Sequence, residues 1–193
     1  MPLAKNHDKK YTYRDYLAWP EDLRSEIING IIFDMTPAPS RQHQAISRNM
    51  FLQLHNFFRD RSCEVYYAPF DVRLPRGNEK DSDIDTVVQP DISVICDKKK
   101  LDDAGCRGAP DFIIEIQSPS TAAKDLREKL DLYEKHGVKE YWVVSPEQEI
   151  VMAFTFSSRK EYGKPAVFMK GETIESSAFQ GLQVDLGEVF IDL

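Results

Sequence analysis

The feature that most constrains the fold is a pair of apolar segments separated by one amphipathic segment. PDFIIEIQS and EYWVV have the β-branched and aromatic composition of buried strands. Between them, TAAKDLREKLDLYEKHG is predicted to be a helix that is capped by Ser120 or Thr121 and ends at Gly137. This order, with short connections, favours parallel pairing across a right-handed crossover. The chain is therefore predicted to be an α/β protein in which helices cover a sheet.

Two helices and several strands are predicted before this crossover. A short helix runs from Thr12 to Pro20, and a long amphipathic helix runs from His43 to Asp60. Asn29–Gly30 predicts a tight hairpin turn within SEIINGIIFDM. Strands are expected in CEVYYAPFDVRLP, broken near Pro69, and in VVQPDISVI, and the C-terminal third is predicted to be strands and turns.

Length and hydropathy predict one domain outside the membrane. A chain of 193 residues can enclose a single core, so residues 1–193 are taken as one domain. No segment approaches the roughly 20 consecutive apolar residues that span a bilayer. The N-terminus lacks the apolar run of a secretory signal, so a cytoplasmic location is expected.

Cysteine spacing and charge exclude some functions and restrict others. The three cysteines form no close pair and are predicted to be reduced thiols that bind no zinc: Cys63, Cys96 and Cys106. A net charge of −7 disfavours a polyanionic partner overall, although Lys98–Lys100, and Arg41 with Arg48, are local basic groups. A nucleic-acid function would therefore require a site where cations neutralise both carboxylates and phosphate.

Two carboxylates are candidates for such a site. Asp91 and Glu115 lie within apolar strands, where burying an unpartnered carboxylate costs several kcal/mol. A divalent cation would relieve the repulsion between them, and Mg²⁺ fits because it takes oxygen ligands from only one or two protein carboxylates. The residues alone also allow Asp91 to be a turn residue and Glu115 to pair with a basic side chain.

The segments QPDISVI, PDFIIEIQSPST and KDLREKLDLYEKHGVKEYWVV resemble the Uma-type family of restriction-endonuclease-like proteins, within the PD-(D/E)XK nuclease superfamily. The resemblance covers about residues 12–155. It implies a restriction-endonuclease-like core, a mixed central β-sheet flanked by helices. It also implies Mg²⁺, with Mn²⁺ as an alternative, bound by Asp91, Glu115 and the backbone carbonyl of Ile116, and hydrolysis of DNA phosphodiester bonds.

Gln117 departs from the superfamily pattern, which has a lysine two residues after the glutamate. Glutamine can orient water but cannot serve as a cation or a general base. The resemblance places the lysine on the following helix at Lys129, which shares a helical face with Asp125 and Tyr133. An exposed Asp125–Lys129 pair is the alternative. Lys124 lies on a different face of a continuous helix and is predicted to be a weaker substitute.

Glu26 and His43 complete the candidate site. Glu26 matches an acid of the family pattern and is expected to complete the metal shell, or else to be a solvated strand end. His43 could hold phosphate or transfer a proton, but a histidine at a helix start is more often polar surface, and that interpretation is slightly favoured.

Three hypotheses follow for function. The first is a metal-dependent DNA endonuclease, acting as a homodimer because two related sites can cut both strands. The second is an inactive nucleic-acid-binding or assembly module that keeps the fold. A third has RNA or branched DNA as the substrate. Several aromatic residues are interpreted as core or strand residues rather than base-stacking groups: Tyr66, Tyr67, Tyr141 and Trp142.

Overall fold

The structure, a computed structural model, describes residues 9–20, 23–35, 38–118 and 122–191, and these contain both helices and strands. The α-helices in these ranges are α1 (Tyr13–Leu17), α2 (Arg41–Phe58), α3 (Ala122–Asp125), α4 (Glu128–His136) and α5 (Leu186–Val189). The strands are β1 (Ser25–Ile28), β2 (Ile31–Asp34), β3 (Glu64–Tyr67), β4 (Val72–Arg73), β5 (Val87–Val88), β6 (Ile92–Ile95), β7 (Leu101–Asp102), β8 (Gly105–Arg107), β9 (Phe112–Ile116), β10 (Glu140–Ser145), β11 (Ile150–Thr155), β12 (Ala166–Met169), β13 (Thr173–Glu175) and β14 (Gln183–Asp185).

The main sheet contains six strands in the order β12-β11-β10-β9-β6-β3. β9 and β10 pair in parallel, with Glu140 opposite Phe112, and the remaining neighbours are antiparallel. The predicted crossover between these two strands is therefore confirmed. A second six-stranded sheet, β2-β1-β5-β4-β8-β7, and the β13–β14 hairpin complete the strand pairing of the described residues. The sequence predicted a mixed sheet with helices but not this second sheet.

Both faces of the main sheet are buried, which explains why its central strands are continuously apolar. Side chains at alternate positions of β9 and β10 pack with the apolar stripe of α2: Phe112, Ile114, Trp142, Val144, Ile46, Met50, Leu54 and Phe58. The intervening positions pack with α4: Ile113, Tyr141, Val143, Leu132 and Tyr133. Each fully buried side chain of this kind contributes about 1.5–3 kcal/mol, so these two layers hold the sheet between its helices.

The N-terminal elements follow the local sequence signals. Asn29 and Gly30 have φ angles of 53° and 81°, the left-handed values that the predicted hairpin turn requires. α2 begins directly after its N-cap residue Ser40, whose Oγ accepts a hydrogen bond from the His43 backbone N–H at 3.2 Å. The predicted short and long helices are thus confirmed within one or two residues at most ends.

Two predicted elements are divided in the structure. The segment VVQPDISVI is not one strand, because β5 belongs to the second sheet and β6 to the main sheet, with Gln89–Asp91 passing between them. The crossover helix is also broken, because α3 ends at Asp125 and α4 begins at Glu128. Its predicted cap at Ser120 or Thr121 lies outside the described residues. Its end at Gly137, with φ 74°, is confirmed.

The prediction of reduced cysteines is wrong for two of the three. Cys63 and Cys96 form a disulfide, while Cys106 is free and buried. β3 and β6 are antiparallel, with Glu64 opposite Ile95, so the residues just beyond this pair face each other. The two cysteines are 33 residues apart in the sequence, so their spacing did not indicate that they are close in the fold.

The strands of the main sheet bring different chemistry to its two ends. The cleft end, defined by Asp91 before β6, Glu115 near the end of β9 and Pro146 after β10, carries the predicted site. The opposite end is defined by Cys96 after β6 and Glu140 at the start of β10. No helix in the described part of the chain is long and apolar enough to cross a membrane.

Candidate active site

A cleft of about 560 Å³ opens at the cleft end of the main sheet. Both sheets and three helices contribute to it. The charged and polar residues that line it are Arg24, Glu26, Ser40, Gln42, His43, Gln89, Asp91, Glu115, Gln117, Ser118, Lys124, Asp125, Lys129 and Glu147. Every side chain predicted for the site is in this group except Tyr133, which contacts Glu115. The fold thus brings the predicted residues together, and their roles remain predictions.

Asp91 is held at the point where the chain enters β6. Its Oδ2 accepts a hydrogen bond from the Ile116 backbone N–H at 2.7 Å and lies 3.3 Å from His43 Nε2. Burial lowers the pKa of His43, but the neighbouring Asp91 carboxylate outweighs burial and leaves that pKa raised. The interpretation of His43 as polar surface is therefore wrong, because the ring is only 14% exposed and contacts a site carboxylate.

Glu115 is a buried carboxylate, 4% exposed, near the end of β9. Its Oε1 accepts hydrogen bonds from Lys129 Nζ at 2.7 Å and from the Tyr133 hydroxyl at 2.8 Å. Burial raises its pKa to about 8; Lys129 opposes this shift, and the neighbouring carboxylates reinforce it. Glu115 does pair with a basic residue, Lys129, as the alternative interpretation allowed. The pair lies inside the cleft rather than at a strand edge.

Glu26 is also buried, at 1% exposed, and is not the solvated strand end that the sequence allowed. Its carboxylate lies 2.6 Å from Lys124 Nζ and 2.9 Å from Lys129 Nζ, and it accepts a hydrogen bond from the Gln89 backbone N–H at 3.1 Å. Burial alone would raise the pKa of Glu26, but the two ammonium groups outweigh it and lower the pKa to about 2.

Lys129 joins the two buried glutamates. The ammonium contacts Glu26 and Glu115, and its side chain is 4% exposed. Burial disfavours its charge, but these two carboxylates hold the pKa of Lys129 well above its usual value. The alternative of an exposed helix pair with Asp125 is therefore wrong, because both residues are buried.

The charges of the cleft test whether Mg²⁺ fits. Five carboxylates line it, against two lysines and Arg24, and Asp125 is itself only 2% exposed. No group of three or more His, Cys, Asp or Glu side chains among the described residues has a metal-binding arrangement. A hard cation that keeps most of its waters needs fewer, and two carboxylates with a backbone carbonyl are oxygen ligands of the right kind. The donor set of Asp91, Glu115 and Ile116 therefore fits Mg²⁺ or Mn²⁺.

Two polar atoms of the cleft residues are unused. Within the described ranges, Gln117 Nε2 and His43 Nδ1 are buried and have no hydrogen-bond partner. Buried polar groups are nearly always paired, so such atoms in a cleft are candidates for contact with a bound molecule. Gln117 thus keeps a donor for water or for a phosphate oxygen, as the sequence suggested.

Sequence reasoning missed two contributors. Lys124 was ranked low because a continuous helix would direct it away from Lys129, but the break between α3 and α4 removes that constraint. Neither proline nor glycine lies at the break, so no residue type indicates it in advance. Gln89 was missed because its contact with Glu26 is made by its backbone.

A mixed sheet that carries carboxylates at the ends of neighbouring strands, beside a buried lysine, has the architecture of nuclease-like α/β proteins. The model of the Uma2 family, described as "Putative restriction endonuclease", matches residues 13–187. The chain belongs to this family.

The chain is also similar to one individual protein sequence and to one solved structure. "Uncharacterized protein slr1290" of Synechocystis sp. (strain ATCC 27184 / PCC 6803 / Kazusa) is 27% identical over 139 residues, which are 70% of this chain and 69% of that protein. The crystal structure of "a putative nuclease belonging to DUF820" from Anabaena variabilis ATCC 29413 matches with a TM-score of 0.72 and 21% identity, over 93% of this chain and 97% of that one. This second likeness confirms the predicted fold class.

Proposed function

We propose that this chain is a metal-dependent nuclease that hydrolyses DNA phosphodiester bonds in the cleft. The observation that carries the proposal is the placement of Asp91 and Glu115 in a cleft where carboxylates outnumber lysines. An excess of buried negative charge is stabilised by a cation, and a phosphate substrate would add to that requirement. Membership of the restriction endonuclease family supports the same reaction class.

In this proposal Asp91, Glu115 and the Ile116 carbonyl hold Mg²⁺ or Mn²⁺. When bound there, the ion supplies Lewis-acid polarisation of the phosphate and lowers the pKa of a water. Asp91 is kept in place by the Ile116 N–H, and Glu115 by Lys129 and Tyr133. Gln117 Nε2 would orient a water or a phosphate oxygen, and His43 would hold phosphate or accept a proton at Nδ1.

The surface beside the cleft also supports a polyanionic substrate. α2 begins at the cleft and contains no Asp or Glu in its 18 residues, in a chain whose net charge is −7. Its exposed side includes Arg41 and Arg48. The exposed side of α2 therefore carries positive charge and no carboxylate that would repel a phosphate backbone.

The test is cleavage of supercoiled and linear duplex DNA with Mg²⁺ or Mn²⁺, comparing the wild-type chain with Glu115→Ala and Asp91→Ala. We expect the wild-type chain to cut and each variant to lose at least about a thousandfold in rate, while remaining folded. Normal cutting by either variant would show that the proposed metal ligands are wrong. A melting-temperature increase with Mg²⁺ but no cleavage would keep the metal site and exclude duplex DNA as substrate.

One observation favours a second candidate, an inactive nucleic-acid-binding module. Gln117 stands where the superfamily has a lysine, and the lysine that replaces it by resemblance, Lys129, is bound to two carboxylates. This candidate predicts nucleic-acid binding without cleavage and no effect of Mg²⁺ on melting temperature.

We also propose that the active form is a homodimer, which sedimentation of the purified chain would test.

A further inference from the structure

We infer that Lys124, rather than Lys129, is the lysine that contacts the phosphate to be cleaved. This inference rests on the proposed nuclease function. It assigns different tasks to the two lysines of the cleft: Lys129 holds the buried carboxylates together, and Lys124 moves from Glu26 to the substrate.

Lys129 is not available for a substrate. Its Nζ lies 2.9 Å from Glu26 and 2.7 Å from Glu115, and the side chain is 4% exposed. Turning the ammonium into the cleft would break both ion pairs and leave two carboxylates buried without a cation. Removing one partner from a buried ion pair is strongly destabilising, so this movement is disfavoured.

Lys124 has a different environment. Its side chain is 13% exposed, and its Nζ lies 2.6 Å from Glu26 Oε2. When Lys124 leaves, Glu26 still has Lys129 at 2.9 Å and the Gln89 N–H at 3.1 Å. The carboxylate therefore stays paired, and the ammonium exchanges a carboxylate oxygen for a phosphate oxygen.

The backbone around Lys124 permits this exchange. Lys124 belongs to a helix of four residues, α3, which is separated from α4 by residues 126–127. A lysine ammonium on its flexible stem is a point charge that can follow a phosphate without a fixed geometry. Lys124 thus supplies, from the start of the crossover, the positive charge that Gln117 cannot supply.

The experiment compares Lys124→Met, which keeps an apolar stem and removes the charge, with Lys124→Arg, Lys129→Met and the surface control Lys164→Met. Single-turnover cleavage with Mg²⁺ is measured together with melting temperature with and without Mg²⁺. For Lys124→Met we expect about a 100- to 1000-fold slower cleavage, partly restored in Lys124→Arg, with an unchanged Mg²⁺-induced rise in melting temperature. Lys129→Met should instead lose melting temperature before any DNA is added.

Binding provides a readout that does not depend on cleavage. Anisotropy of a labelled duplex with Ca²⁺ in place of Mg²⁺ is measured over a range of salt concentrations. Lys124→Met should make the slope of log K against log salt concentration less steep by about one, the amount expected for one lost phosphate contact. Lys164→Met should leave that slope unchanged. If the wild-type chain never cuts DNA, the nuclease proposal fails. The binding comparison still shows in that case whether Lys124 contacts a phosphate of the bound duplex. Cleavage and salt dependence equal to wild type in Lys124→Met, or a fall in melting temperature as large as that of Lys129→Met, would overturn the inference.

Discussion

The two ends of the main sheet each bury one glutamate, and the two are satisfied in opposite ways. At the opposite end, Glu140 is 1% exposed and accepts hydrogen bonds from Trp142 Nε1 at 2.7 Å, Ser176 Oγ at 2.6 Å and the Ala178 N–H at 3.0 Å. At the cleft end, Glu115 accepts hydrogen bonds from Lys129 and Tyr133. The two glutamates lie on neighbouring strands, β10 and β9.

This difference shows how burial can serve either stability or chemistry. Two of the three neutral donors around Glu140, Ser176 and Ala178, join the C-terminal segment to the sheet, and none of the three changes its protonation near neutral pH. The donors around Glu115 are ionisable, and other carboxylates lie close by. A bound cation or proton therefore changes the energy of the cleft end. Variants at the two ends should separate these properties.

Lys129→Met should cause the largest change in stability. It leaves Glu26 and Glu115 buried without their shared cation, which is expected to lower the free energy of unfolding by about 3–5 kcal/mol. Urea denaturation at pH 9, above the raised pKa of Glu115, measures the loss. The double variant Lys129→Met/Glu115→Gln removes one of the stranded charges and should recover a large part of it. If the double variant is no more stable than the single one, the loss is due to packing rather than charge.

Cys63→Ser should have the next largest effect, at the opposite end. The disulfide joins residues 33 positions apart. In the chain-entropy model, a cross-link that closes a loop of that length stabilises the folded state by about 3–4 kcal/mol. Under oxidising conditions the variant should unfold at lower urea, and the Mg²⁺-induced rise in melting temperature should remain. A reducing agent should lower the urea midpoint of the wild-type chain to that of the variant. An unchanged wild-type midpoint under reducing conditions would contradict this prediction.

Glu140→Gln should have a smaller effect of the same kind. The amide replaces one acceptor oxygen with a donor that faces Trp142 or Ser176, both also donors, at a cost of about 1–3 kcal/mol. Differential scanning calorimetry should show a lower melting temperature with an unchanged response to Mg²⁺. Loss of the metal response in this variant would mean that the two ends are not independent.

A change of one pH unit should have the smallest effect on stability and sharpen the comparison. The pKa of Glu115 rises from an ordinary 4.5 to about 8, so between these values the folded state keeps a proton that the unfolded chain releases. This contribution is fully present below pH 4.5 and is lost as the pH rises towards 8, with a slope of at most about 1.4 kcal/mol per pH unit. Urea midpoints at pH 5, 6.5 and 8 should show this slope in the wild-type chain and not in Glu115→Gln. Equal slopes would place the titrating group elsewhere.

Local patterns predicted the fold where the chemistry of one segment decides its structure. The hairpin at Asn29–Gly30 and the end of α4 at Gly137 depend on backbone angles that these residues favour. The parallel pairing of β9 and β10 followed from their connection. The break after Asp125 and the pairing of Cys63 with Cys96 were not predictable, because both depend on contacts between distant segments.

The candidate site was predictable to the same extent. Asp91 and Glu115 were recognisable as acids in apolar segments, and Lys129 was assigned through the resemblance to the Uma-type family. That Glu26 is buried between two lysines depends on the second sheet, whose existence no single segment indicates. Tyr67 was interpreted as a core or strand residue, and it lies at the end of β3 with 59% of its surface exposed.

The crossover between β9 and β10 also sets an order for assembly during synthesis. Glu115 is followed within 18 residues by both of its partners, so this half of the cleft can form from one continuous stretch of nascent chain. Glu26 leaves the ribosome earlier and meets Lys124 only after 98 further residues. The ion pair between the N-terminal hairpin and α3 therefore forms only after residue 124 has been made, although β1 can pair with β5 as soon as Val87 has been made.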